Sequence, residues 1–225
     1  MLNTVSYIEN ATIAATDGAI GEVVAVYFDD KSWTIRYLVV NTGSWLSERK
    51  VLISPNAVSR AESPGKVLRV ALSQQQVKDS PNIDTQKPVS RQHEDELLRY
   101  YAYPAYWEGE TQFSDVHLRS SPDVIGYDIQ ASDDSIGHVK DFVFDEDSWT
   151  IRYLVVDTRN WWPGGTKVLI GTRWISNIDW ASKTVRVALT RDQVKSSPSY
   201  DALATITRDY ENQLHESYAQ PGYWL

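Results

Sequence analysis

The sequence has no cysteine. That removes disulfide bonds, thiolate catalysis and cysteine-based zinc sites together, and it leaves the redox compartment open, since a thiol-free chain tolerates either one. Apolar runs are short, as in Val23 to Phe28 and Tyr37 to Val40. Neither approaches the roughly 20 residues that a membrane-spanning helix needs. The segment Met1-Leu2-Asn3-Thr4 is not a basic region followed by an apolar stretch, so it does not read as a signal peptide, and a cytoplasmic location is the expectation. Basic patches are missing too. The 22 Lys and Arg are scattered among 30 Asp and Glu, for a formal net charge of −8, which argues against a nucleic-acid partner.

Motifs of common catalysis are also absent. There is no Gly-x-Ser-x-Gly, Walker-type loop, Gly-x-Gly-x-x-Gly or His-Glu-x-x-His. Gly164-Gly165-Thr166-Lys167 precedes a predicted strand and lacks the leading glycine of a phosphate loop, so it reads as a turn. His93, His117, His138 and His215 sit at no metal-ligand spacing, and none recurs at a matched position, so they read as exposed or incidental. No catalytic residue and no cofactor is expected.

What the chain does contain is a repeat. Ser32-Trp33-Thr34-Ile35-Arg36-Tyr37-Leu38-Val39-Val40-Asn41-Thr42 returns as Ser148 to Thr158 with ten of eleven positions identical, Asn41 becoming Asp157. The offset is 116 residues, rising to 117 after a one-residue insertion near Trp162 to Gly165. Lys50 to Ile53 then matches Lys167 to Ile170, Arg69 to Leu72 matches Arg186 to Leu189, and Tyr106-Trp107 matches Tyr223-Trp224. Upstream, Asp17 and Ile20-Gly21 align with Asp133 and Ile136-Gly137. A duplication over essentially the whole chain follows. The polar stretch Glu108 to Ser121 is the expected linker, with domains at residues 1–108 and 119–225.

Each copy reads as mainly β. Val24, Val26 and Phe28 alternate with Ala25 and Tyr27; the acidic turns Asp29-Asp30-Lys31-Ser32 and Asp145-Glu146-Asp147-Ser148 then lead into the β-branched and aromatic run that begins at Trp33 or Trp149. This predicts a hairpin, with further strands at Lys50 to Ile53 and Val67 to Leu72 and a weaker one near Ala11 to Ala14. Several short strands at this spacing favour a small barrel or sandwich. Helical tails follow. Ser73 with Gln76, and Thr190 with Gln193, fit the capping-box form, and Val89 to Ala102 and Ile206 to Ala219 read as second helices ending in aromatic tips.

The motifs Ile20-Gly21, Phe28-Asp29-Asp30, Trp33 to Val40 and Lys50 to Ile53, with their second-copy counterparts Gly137-His138-Val139, Phe144-Asp145, Trp149 to Thr158 and Lys167 to Ile170, resemble the PRC-barrel family. The resemblance implies two tandem small β-barrels, each with a short C-terminal helical extension, used as assembly modules. The family takes its name from the cytoplasmic domain of the photosynthetic reaction-centre H subunit, and a related barrel occurs in a ribosome-maturation factor. In both settings the barrel is a docking platform without catalytic residues.

Arg36 and Arg152 interrupt otherwise apolar strands, so each must reach solvent or meet a carboxylate, Asp17/Asp133 or Asp29/Asp145. Nine tryptophans occur, with Trp33/Trp149, Trp45/Trp161 and Trp107/Trp224 as matched pairs and Trp162 beside Trp161. Most belong to cores. Trp45, Trp161, Trp162, Arg36, Arg152, Trp107 and Trp224 are the candidate partner-binding residues, because binding energy concentrates on aromatic and arginine anchors. Asp29, Asp30, Asp145 and Asp147 are candidate cation ligands, although Asp at these positions also suits the turn itself. The expected function is a non-catalytic scaffold that binds a protein partner, its repeats forming an intramolecular pseudo-dimer open to further homo-oligomerisation. The alternatives are a sensor of a small ligand or divalent cation held between the barrels, and, more remotely, a photosynthetic assembly factor.

Overall fold

β-Branched and aromatic side chains favour extended backbone, and a run of Asp and Ser favours a turn; together they set the hairpin that dominates each copy. The computed structural model describes residues 1–59, 67–81, 91–107, 118–159, 161 and 163–225. The first copy runs β1 (Leu2–Thr4), a helical turn α1 (Val5–Ile8), β2 (Thr12–Ala14), β3 (Ala19–Asp29), β4 (Ile35–Asn41), β5 (Lys50–Ile53), β6 (Val67–Arg69), α2 (Gln74–Lys78) and α3 (Arg91–Tyr100). The second runs β7 (Leu118–Ser120), α4 (Ser121–Val124), β8 (Asp128–Gln130), β9 (Ser135–Asp145), β10 (Thr150–Asp157), β11 (Lys167–Gly171), β12 (Ile175–Asp179), β13 (Thr184–Val187), α5 (Arg191–Ser196) and α6 (Arg208–Ser217). Most of the expected linker, residues 108–117, lies outside the described residues.

The chain is mainly β and forms two sheets. One has the order β5-β4-β3-β2-β6, with β7 also on β3; the other has the order β11-β10-β9-β8-β13-β12, with β1 also on β9. The β2–β6 and β8–β13 pairs are parallel and the remaining ladders antiparallel. Among the described residues no ladder joins β5 to β6 or β11 to β12, so the expectation of closed barrels is corrected to open sheets. The end strand β5 is only four residues long and passes at Ser54 into the single helical turn Pro55–Ala57. Proline there has no N–H to give a ladder, and the Ser54 hydroxyl accepts the Asn56 N–H instead.

Two compact units result: Ser6–Ser121, and Met1–Val5 with Pro122–Leu225. Each repeat thus begins with a strand that lies on the other repeat's sheet. The repeats otherwise run in parallel, down to their capping boxes, which form fully at Ser73 with Gln76 and at Thr190 with Gln193.

Burial on both faces of β3 and β4 departs from simple alternation. Val26, Phe28, Leu38 and Val40 are fully buried, and Ala25, Tyr27, Tyr37 and Val39 nearly so. The second set packs with Leu52 and Leu118 against Leu97 of α3, so the tail helix gives the sheet's other face an apolar cover. Val24 escapes to 38% exposure because a register shift between Val23 and Ala25 turns it outward.

Gly21 and Gly137 mark where β3 and β9 press against the ends of β4 and β10. Their φ angles are 157° and 154°, and a β-carbon at either would fall inside the carbonyl oxygen of Asn41 or Asp157. Backbone cannot yield as a flexible side chain does. Gly21→Ala and Gly137→Ala are each expected to cost more than about 1 kcal/mol, read as a lowered midpoint in urea unfolding.

Candidate functional site

Arg36 stands at the start of β4, beside the acidic turn. Its guanidinium lies 3.6 Å from Asp29 Oδ2, donates to the Ser32 hydroxyl at 3.3 Å, and stacks 3.8 Å from the ring centroid of Tyr106. Arg152 repeats the arrangement with Asp145 (3.3 Å), Ser148 (3.2 Å) and the Tyr223 ring (4.3 Å). Of the two partner choices the sequence leaves open, Asp29/Asp145 is the one used. Asp17 and Asp133 instead accept the backbone N–H of Gln74 and Arg191, the first residues of α2 and α5. The arginine side chains keep 21% and 19% exposure, so each remains part of the surface.

The acidic turns hold themselves together. Asp29 Oδ1 accepts the N–H groups of Lys31 and Ser32, and Asp145 Oδ1 accepts that of Asp147. Burial alone would raise the Asp145 carboxyl, but the Asp147 N–H, the Ser148 hydroxyl and Arg152 outweigh it and hold Asp145 below its usual range. Asp30 pairs with Arg119 at 2.8 Å, and Asp147 lies 3.4 Å from the Met1 amino group. Among the described residues no three His, Asp or Glu side chains form a group fit to hold a metal ion. Trp33 and Trp149 complete the turns at φ of 56° and 53°. This region is costly for a bulky residue, and here each indole stacks on Phe28 or Phe144 at 5.3 Å.

The tyrosine tip reaches Arg36 because a buried carboxyl holds the tail. Glu94 of α3 is fully buried and accepts the hydroxyls of Tyr37 (3.2 Å) and Tyr106 (2.6 Å). Glu211 of α6 does the same for Tyr153 at 2.8 Å and pairs with Arg208 at 3.0 Å. Burial first, then the neighbouring Glu, pushes the Tyr37 and Tyr153 hydroxyls far above the ordinary tyrosine value, and Tyr223 up to about 12. These hydroxyls stay protonated donors at any physiological pH. The tips therefore dock each tail on its own repeat. Trp107 packs edge-on to Tyr106, and Trp224 lies under Arg208 at 4.1 Å and beside His215 at 4.9 Å.

His215 corrects the expectation of incidental histidines. It is buried, with Nδ1 facing the Pro221 carbonyl at 2.9 Å and Nε2 facing the Tyr153 hydroxyl at 2.9 Å. A carbonyl only accepts, so Nδ1 carries the proton, and the single hydroxyl proton of Tyr153 lies between two acceptors, Glu211 Oε1 and His215 Nε2. Burial lowers the His215 pKa, against the opposing pull of the Pro221 carbonyl and Glu211.

The aromatic loop lies elsewhere. Trp45 is exposed, and its indole N–H donates to the Ile20 carbonyl, at the opposite end of β3 from Asp29. Ile20 and Asp29 are nine residue steps apart along the strand, about 30 Å of extended chain. The expectation of one surface joining this loop to the acidic turns is therefore not met: they are two sites per repeat. Trp161 is half-buried, its carbonyl accepting from Arg191 at 3.0 Å; Trp162 lies outside the described residues. The residues sequence reasoning missed are Glu94/Glu211 and Tyr106/Tyr223. The matched offset of 117 carried the signal for both, and a buried acid recurring in two tails deserved a partner.

The PRC-barrel domain matches residues 5–76 and 118–194, one segment in each repeat. The chain belongs to the PRC-barrel family. No curated protein matches it. In this PRC-barrel chain both matched segments stop short of α3 and α6, so the tail carboxyls and tip aromatics lie outside them. Among the described residues no helix is long and apolar enough to cross a membrane.

Two tests follow from the site. Tyr106→Phe removes a hydrogen bond to a buried carboxyl and is expected to cost about 1–3 kcal/mol, with Tyr37→Phe in the same range, both read by urea unfolding. The second concerns pH. Hydrogen bonds from Arg159, more than the opposing effect of burial, pull Asp157 down to about 2, below the roughly 3.9 of an unfolded aspartate. A depressed folded value means stability that is present above about pH 4 and is lost as pH falls toward 2. Asn41, at the matched position, cannot titrate, yet its Oδ1 accepts the Gly43 N–H at 3.1 Å just as Asp157 Oδ1 accepts that of Arg159 at 3.1 Å. Asp157→Asn keeps the backbone contact but loses the ion pair with Arg159, so it should lower stability at neutral pH, converge with the unaltered chain near pH 2, and flatten the acid limb of the stability–pH curve.

Proposed function

We propose that this PRC-barrel protein is a non-catalytic docking protein that binds a protein partner through two matched surfaces, one on each repeat. The observation that carries the reading is the duplicated rim at which a partly exposed arginine lies between a carboxylate and a tip tyrosine, Asp29–Arg36–Tyr106 and Asp145–Arg152–Tyr223, with Trp107 or Trp224 alongside. An arginine held flat on an aromatic ring loses little freedom on binding and presents donors in a fixed plane. Tryptophan, tyrosine and arginine are also the residues on which binding energy concentrates. Glu94 and Glu211 beneath the rim are engaged in holding the tail, which suits a rigid platform. PRC-barrel domains are often protein-interaction modules, and a formal charge of −8 fits a protein partner better than a polyanion.

The test compares the intact chain with Trp107→Ala/Trp224→Ala and with Arg36→Ala/Arg152→Ala as baits in a native-source extract, with circular dichroism confirming that each variant is folded. A protein retained by the intact chain and lost at least tenfold with both rim variants is the expected result. Equal retention by folded variants overturns the reading.

A further inference from the structure

The two strands that open the repeats are lent in the same way. Leu2, Asn3 and Thr4 of β1 oppose Asp145, Phe144 and Val143 of β9. Leu118, Arg119 and Ser120 of β7 oppose Asp29, Phe28 and Tyr27 of β3. Subtracting the repeat offset of 116 from the second repeat's numbers makes the two registers identical, Leu2 standing for Leu118 and Asp29 for Asp145. The polar contacts beside them match too: Asn3 Nδ2 donates to Glu146 Oε1 at 2.5 Å, and at the equivalent positions Arg119 pairs with Asp30 at 2.8 Å.

Each sheet therefore contains a slot, along Val143–Asp145 or Tyr27–Asp29, that its own repeat does not fill. A strand left with an open edge offers unpaired N–H and C=O groups to any chain that fits. Nothing in either slot selects the lender's origin. An amide or a guanidinium beside a carboxylate is favourable in all four combinations of Asn3 or Arg119 with Asp30 or Glu146, so no repulsive pairing rejects a strand from another molecule.

We infer that the β9 slot takes Leu2–Thr4 from a second copy of this chain as readily as from its own, so that two copies exchange first strands and form a reciprocally strand-swapped dimer. The contacts made are the same in the closed monomer and in the dimer, so concentration decides between them. Exchange sets in as the chain approaches the effective concentration of its own tethered strand, of the order of a millimolar. This rests on the two registers and is independent of the docking reading above.

The absence of cysteine makes the test clean. Full-length Asn3→Cys and Glu146→Cys chains are mixed, unfolded and refolded together at low and high protein concentration, then treated with a short thiol-reactive cross-linker. The double variant, refolded dilute, is expected to cross-link within one chain. The mixed single variants are expected to give a cross-linked dimer that rises at least tenfold from the low to the high concentration. Leu203→Cys replaces Asn3→Cys as the collision control, Leu203 being 96% exposed. A double variant that closes internally, together with single variants that give no more dimer than the control at either concentration, overturns the inference. So does a double variant that never closes, since the pairing itself then fails.

Discussion

A carboxyl group with no access to water is destabilising unless donors surround it, and that constraint organises each repeat of this protein. Glu94 sits at 0% exposure and Glu211 at 3%. Each takes its hydroxyl donor from the strand beneath, Tyr37 or Tyr153. The arrangement works only if the tail helix lies on the sheet, because the acid comes from the helix and the hydroxyl from β4 or β10. Burying the acid without the tyrosine would leave it unmatched, and burying the tyrosine without the acid would leave a hydroxyl unmatched. Polar matching thus fixes where the helix lies, while the apolar contacts of Leu97 with Tyr27, Val39 and Leu52 supply the burial.

From that fixed point the rim follows. Once Glu94 is seated, Tyr106 is bound to it at 2.6 Å and its ring comes over Arg36. Arg36 is in turn tied to the acidic turn through Asp29 and Ser32, and that turn is braced by Trp33 on Phe28. Core, turn, strand arginine and tail tip form one connected chain of contacts. A surface built this way is preorganised: the side chains that would meet a partner are held by groups a partner does not touch.

What the sequence made legible was local. Both capping boxes close within a span of three residues, and both acidic turns bind their own backbone N–H groups, so neighbours in sequence were enough to foresee them. The hairpin and the duplication were readable for the same reason, from composition and identity along the chain. The tail carboxyls were not, because Tyr37 and Glu94 are separated by 57 residues and no periodicity links a strand hydroxyl to a helix acid. Barrel closure was expected from strand count, yet it depends on pairing between the two ends of a sheet, which the short end strands do not supply. The lent strands were hidden by their length. Three residues, Leu2–Thr4 or Leu118–Ser120, are too few for an alternation to show.

The repeats differ where the tail meets the sheet, and there two changed residues touch. In the second copy Trp174 stands where the first has Ala57, and His215 where it has Leu98. Ala57 and Leu98 are both buried in the first copy, so an indole in place of that alanine would overfill the space. In the second copy the indole has aromatic neighbours, His215 at 5.1 Å and Tyr218 at 4.9 Å. The imidazole brings two nitrogens that cannot be left bare, and the Pro221 carbonyl and the Tyr153 hydroxyl meet them. The second tail is thereby tied down by an aromatic cluster around His215 and Trp174, while the first has tyrosines in place of it, Tyr100, Tyr101 and Tyr103 packed on one another and the Tyr100 hydroxyl donating to the Gln76 carbonyl. Matched tails are thus held by different side-chain chemistry, and the physical origin is a pair of substitutions, Ala57 to Trp174 and Leu98 to His215, whose rings meet in space.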